Sequence, residues 1–208
     1  MGKPKINQGS EYLLPKEQWT AAENIQGDEI KTLQSPVIEA AFQRILQLHT
    51  PKHKIAFVSL CTATRPYSKS RKWKKFIELF GDSADMIICS NGGIIPIEFE
   101  SCYPYMTYDA HGEGKWDKQY INTCYRRLVA FFEKFHYDKI IFNFRPNMRN
   151  RIAALAFQRD YKGRSEIVIL PTPATYREAQ RDGFKPAGMR FPDLSYPVIN
   201  ELQKEFSK

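Results

Sequence analysis

Apolar positions along the chain fall into two rhythms. Short, nearly continuous hydrophobic runs at 54–60, 86–89, 139–144 and 166–170 have the pattern of strands buried on both faces. Between them, apolar residues recur every three or four positions. Ser35 and Pro36 open one such segment, Val37, Ile38, Ala41, Ile45 and Leu48 continue it, and Pro51 stops it. A second helix is predicted over 70–80 and closes at Gly81. Asp117 opens the clearest one, with Ile121, Cys124, Tyr125, Leu128, Phe131, Phe132 and Phe135 on one face. Further helices are predicted over 147–160, near 174–181, and from 193–197 to the terminus.

Short strands alternating with amphipathic helices predict an α/β fold, a three-layer sandwich around a central, mainly parallel sheet of about four strands. Residues 35–208 read as a single α/β domain. Residues 1–34 carry no sustained periodicity and read as an N-terminal arm laid on the core through Tyr12, Leu13, Leu14 and Trp19. Ser90-Asn91-Gly92-Gly93 reads as a tight loop. The stretch 94–116, with Pro96, Pro104, Gly112 and Gly114 among aromatics, reads as a long ordered loop of the kind that builds sites.

Charge narrows the partners. In 208 residues, Lys plus Arg number 31 against 23 Asp plus Glu, a net charge of +8, which favours a polyanion, most commonly nucleic acid. A basic protein without a polyanionic partner is the alternative. No apolar run approaches the ~20 residues of a membrane span, and the first residues lack the hydrophobic core of a signal peptide. A soluble, cytoplasmic protein with no membrane partner is expected. The four cysteines form no C-x-x-C pair, so zinc-ribbon chemistry and disulfides are not expected, and neither is a metal or a cofactor. Dinucleotide and P-loop glycine motifs do not occur.

Candidate chemistry gathers after the first strand. Cys61 follows a buried run, and six of the eleven residues from Arg65 to Lys75 are basic, with no acid among them. Positive surroundings favour a thiolate nucleophile; a small buried residue at a strand end is the plainer reading. Lys69, Arg71, Lys72, Lys74 and Lys75, with Arg145, Arg149 and Arg151 after the third strand, form a candidate phosphate-tracking surface, or else a solvated helix face. Trp73 and Phe76, three apart, are expected to face the core. If the first two strands are neighbours, Cys61 and the Ser90–Gly93 loop open on one edge and can hold one ligand. Asp109, flanked by aromatics, is a candidate general base, and Glu98 a second acid; Glu100 is read as a carboxylate bonded to loop N–H groups. His49, His53 and His136 read as surface residues.

Three ordered segments resemble the archaeosine synthase family, relatives of tRNA-guanine transglycosylase. The family motif is Pro-Cys, three residues, Lys-Pro-Tyr, two residues, Ser, two residues, His. This chain has Leu60-Cys61, Arg65-Pro66-Tyr67, Ser70 and Trp73 at the same spacing. The stretch from Ser90 to Glu100 resembles the family's next segment, and Tyr103-Pro104, Tyr108-Asp109 and Gly114-Lys115-Trp116 resemble a third. Leu60, Arg65, Trp73 and Ile97 stand where the family has Pro, Lys, His and Arg.

The resemblance implies a transferase that adds an amine, lysine, to the nitrile of 7-cyano-7-deazaguanine in tRNA. Cys61 and Asp109 would then be catalytic, and Arg65, Tyr67, Ser70, Ser90, Asn91, Gly93 and Glu98 would bind substrate. It implies a copy of the family's middle module, with tRNA and a separate transglycosylase-like or radical-enzyme chain as partners. Two alternatives stay open: a non-catalytic RNA-binding module, and a DNA base-modification or glycosylase-like factor.

Overall fold

A computed structural model describes residues 13–14, 32–106 and 117–208. Its centre is a five-stranded sheet: β1 (Ile55–Leu60), β2 (Ala84–Ser90), β3 (Gly93–Pro96), β4 (Lys139–Asn143) and β5 (Glu166–Leu170), in the order β3-β2-β1-β4-β5. The four strands predicted from apolar runs pair in parallel, and β3 joins β2 antiparallel. The fifth strand lies at the start of the expected loop 94–116. Gly-Ile-Ile-Pro is too short, and too close to a proline, to carry a strand signal; pairing with β2 supplies its order.

Six helices follow from the amphipathic segments: α1 (Pro36–Leu48), α2 (Arg71–Phe80), α3 (Lys118–Lys134), α4 (Arg149–Asp160), α5 (Pro173–Arg181) and α6 (Tyr196–Phe206). Asp117 caps α3 by accepting the N–H groups of Gln119 and Tyr120, and Thr172 caps α5 through the N–H of Thr175. Ser35 precedes α1 without a side-chain cap bond. Phe57 of β1 packs on Phe76 and Phe80 of α2 and on Phe206 of α6. On the opposite face Phe142 of β4 meets Phe132 of α3 and Phe157 of α4. Helices therefore cover both faces, which is why these strands read as unbroken hydrophobic runs. From the expected arm, Leu13, Leu14 and Leu33 are buried in this core; Tyr12 and Trp19 lie outside the described residues.

The chain leaves β1 through α2 to reach β2 on one side, and returns through α3 to β4 on the other. The strand order thus reverses between β1 and β4, and their carboxyl ends are where an open α/β sheet ordinarily binds ligands. Among the described residues no helix is long and apolar enough to cross a membrane.

Candidate functional site

Three chain segments meet at the carboxyl ends of the strands. Cys61 continues β1, its N–H donating to Cys89 O of β2 at 3.0 Å. The β2–β3 hairpin stands beside it: Ser90 pairs with Gly93, and Ser90 Oγ accepts the Gly92 N–H at 2.9 Å. Gly93 has φ +106°, a conformation side chains avoid, and a Cβ there would lie 2.7 Å from Arg127 Nη1. The third segment is Asn143 to Arg145, leaving β4.

The loop between Cys61 and α2 is pinned from inside. Trp73 Nε1 donates to Leu60 O at 3.1 Å, so the indole holds the end of β1. Ser70 Oγ accepts the Trp73 N–H at 3.2 Å as the cap of α2. Glu100 accepts the Ser68 N–H at 2.8 Å, the backbone role read for it. Tyr67 is wholly buried, with the Arg65 guanidinium 5.9 Å from its ring centroid. Tyr67 and Ser70, expected to touch substrate, are thus spent on building the loop. Asn91 Oδ1 accepts from Tyr120 Oη at 3.2 Å, and Asn150 Nδ2 donates to the same hydroxyl at 3.3 Å. Burial raises the Tyr120 phenol well above its ordinary value. The Arg149 guanidinium lies 3.6 Å over that ring.

Lys72 departs from the expected surface. It is 4% exposed, and its ammonium lies 3.5 Å from Asp193 Oδ2, itself buried in the turn Pro192–Leu194 ahead of α6. Arg145 Nε lies 3.5 Å from the other Asp193 oxygen. Lys72 is therefore interior, Arg145 is half-buried beside the same carboxylate, Lys69, Arg71 and Lys74 are exposed, and Lys75 is half-buried. Arg151, buried, donates to Phe144 O and Pro171 O and serves as a clamp between loops. Beside this cluster Asn143 Nδ2 donates to Ser59 Oγ at 3.4 Å, and the buried Asn143 Oδ1 has no hydrogen-bond partner among the described residues.

These contacts reverse one electrostatic expectation. Burial pushes the half-buried Cys61 thiol above its ordinary value, although Lys72, Arg65 and the backbone of Asn91 pull it down. Burial likewise lowers the Lys72 ammonium, with Arg145 acting in the same sense and Asp193 and Cys61 against it. Both shifts favour the neutral forms, a thiol and an amine, at this edge.

Glu98 is not at this edge. It accepts from His49 Nδ1 at 2.7 Å, and His49 Nε2 lies 2.9 Å from Tyr137 Oη. Tyr137 in turn donates to Asp85, near the amino end of β2. His49 is therefore buried rather than on the surface; His53, half-buried, joins the same network through Asp85, and His136 is exposed. Asp109 lies outside the described residues. Sequence reasoning missed Asp193, Asn143, Tyr120 and Asn150 as site residues; the helix predicted from 193–197 onward marked only the segment that carries Asp193.

A family model described as a domain of unknown function, DUF5591, matches residues 38–173. The chain belongs to that family. The match spans β1 to β5 and the carboxyl edge, but ends before Asp193. Archaeosine synthase subunit alpha of Methanosarcina acetivorans is 32% identical over 107 residues, 48% of this chain and 17% of that protein. The corresponding subunit of Thermoplasma acidophilum is 30% identical over 95 residues, 44% and 19%. Archaeosine synthase of Haloferax volcanii is 32% identical over 87 residues, 41% and 15%. The alignments thus span less than a fifth of these curated relatives. AF0587, a protein of unknown function, has a similar crystal structure, with TM-score 0.57, 19% identity, and coverage of 80% of this chain and 49% of that one. That likeness concerns the fold alone.

Proposed function

We propose that the protein modifies a base in tRNA, adding an amine, lysine, across the nitrile of 7-cyano-7-deazaguanine, with Cys61 as nucleophile. The observation that carries this reading is Cys61 at the strand-order reversal beside the buried Lys72–Asp193 pair. A thiol raised by burial is neutral at rest and needs a base at hand. Lys72, in its neutral form, would take the Cys61 proton as sulfur adds to the nitrile carbon, then deliver it to the nitrile nitrogen, leaving a thioimidate. The amine would add to that carbon and expel the Cys61 sulfur, and the proton it loses would return to the thiolate, leaving an amidine. Asn91 and Gly93 at the hairpin, and Arg65 in the loop, would frame the base; Asp109 remains a proposed proton carrier. Partial matches to proteins named archaeosine synthase support this reading, and we assign the remaining parts of such an enzyme to a separate chain.

A second reading, a binding module without chemistry, is favoured by Trp73, which stands at the position of the family's histidine and is engaged with Leu60. Incubating the protein with nitrile-bearing tRNA and lysine, followed by mass spectrometry of the RNA, separates the two. A mass gain that Cys61→Ala abolishes is expected. Turnover by Cys61→Ala removes the thioimidate, and no gain by the wild-type protein in the presence of its partner chain favours the module. Competition by duplex DNA at fixed salt tests the choice of RNA.

A further inference from the structure

A groove of about 590 Å³ runs along the outside of α2, lined by Lys69, Arg71, Lys74, Lys75 and Glu78 on one side and by Pro186, Ala187, Leu194, Tyr196 and Ile199 on the other. Its size is that of ligand clefts, ~300–1,000 Å³. We infer that this groove seats single-stranded RNA next to the base held at the carboxyl edge, with Tyr196 as a stacking platform and α2 as the phosphate-tracking wall. The inference deepens the RNA reading above and rests on it for the identity of the polyanion.

Three observations converge. First, the charge is one-sided. Positions 71, 74, 75 and 78 share a helical face; Glu78 is the one acid among the lining residues and is engaged by Lys75 at 2.7 Å. Lys69, Arg71 and Lys74 make no ion pair among the described residues, so their charge is available to phosphates. Second, the facing wall is apolar and ends in an aromatic ring. Tyr196 is 58% exposed, while its N–H donates to Lys185 O at 2.8 Å and fixes the backbone beneath it. An exposed ring on an anchored first helical turn contributes little to the core and offers a face on which an unpaired base can stack. A duplex keeps its bases stacked inside and cannot use such a face. Third, the groove adjoins the candidate site. Arg71 and Leu194 line it, and their chain neighbours Lys72 and Asp193 meet 3.5 Å apart at the carboxyl edge. The groove wall is thus one residue removed in sequence from each member of the ion pair beside Cys61, and a strand lying in the groove would present its next nucleotide towards that edge.

The test is fluorescence anisotropy of a labelled ten-nucleotide single-stranded RNA and of the same sequence as a duplex, each at low and at physiological salt. Tyr196→Ala should weaken single-strand binding by about 5- to 150-fold, the usual worth of one stacked base, and leave duplex binding nearly unchanged. Tyr196→Phe, which keeps the ring, should stay within about twofold of wild type, and Lys74→Glu should weaken both RNAs and flatten the salt dependence. Lys204→Glu, an exposed lysine outside the groove, controls for overall charge. Unchanged single-strand binding in Tyr196→Ala, or equal loss for the duplex, overturns the inference. Tyr196-dependent binding without any mass gain on tRNA would retain the groove and sink the reaction. A mass gain whose KM for RNA is untouched by Tyr196→Ala and Lys74→Glu would do the reverse.

Discussion

Both ends of the sheet bury charged groups, but they do so differently. At the amino end Glu98, His49, Tyr137, Asp85 and His53 form a continuous hydrogen-bonded chain, and none of their polar atoms is left buried without a partner. Asp85 also accepts the Lys52 N–H, and burial, with the Asp85 charge acting in the same sense, pushes the Tyr137 phenol far up. At the carboxyl end the contacts are longer and incomplete. Asp193 is shared at 3.5 Å by two cations, Asn143 Oδ1 is unpartnered among the described residues, and a thiol stands half-exposed. A closed network holds strand ends together. An open one keeps bonding capacity for something that arrives later, at a cost in stability.

Removing one member from each end sharpens the contrast. Asp85→Ala should have the largest effect, about 3–5 kcal/mol in denaturant unfolding, because it strands Tyr137 and His53 and frees the Lys52 N–H. RNA affinity measured on the remaining folded protein should be unaltered. Asp193→Ala should cost less, about 2 kcal/mol, since its ion pairs are long; it should abolish turnover in the tRNA assay, and turnover intact at wild-type rate would make Asp193 merely structural. Asn143→Leu should change stability by no more than about 1 kcal/mol, because removing an oxygen with no partner among the described residues offsets the loss of the long bond to Ser59. A loss comparable to that of Asp85→Ala would show that both ends are built alike.

The smallest effect concerns pH. Cys61, alone half-buried among the cysteines, should alkylate before the buried Cys89, Cys102 and Cys124. Its rate should rise only as pH climbs above the ordinary thiol value, since burial raises it. Cys102 is held up at about 11 and should follow later. The sign for stability is the same: with the folded-state value raised, the contribution is full below the unfolded value and lost as pH rises through the folded one. Fast alkylation of Cys61 at neutral pH would reverse this electrostatic account.

Much of the architecture was legible in one dimension. Strands β1, β2, β4 and β5 were marked by apolar runs, α3 by its periodicity and Asp117, and the core role of Trp73 by its spacing from Phe76, because burial on both faces leaves a local pattern. The hairpin strand β3 was not legible, since its order comes from pairing with β2. Lys72 looked like its exposed neighbours because its partner, Asp193, is 121 residues away. His49 looked like a surface residue for the same reason, with Glu98 and Tyr137 arriving from 49 and 88 residues off.

The sequence by itself therefore determined the class of fold, the position of Cys61 after the first strand, and the basic face of α2. Those are properties of local hydrophobic rhythm and local charge density. Which lysine would be buried, which end of the sheet would receive Glu98, and whether the thiol would be stabilised as an anion were decided only by the tertiary structure. Desolvation and ion pairing depend on what the rest of the chain brings to a group, and for Cys61 burial outweighs the positive charge that its neighbours in sequence supply.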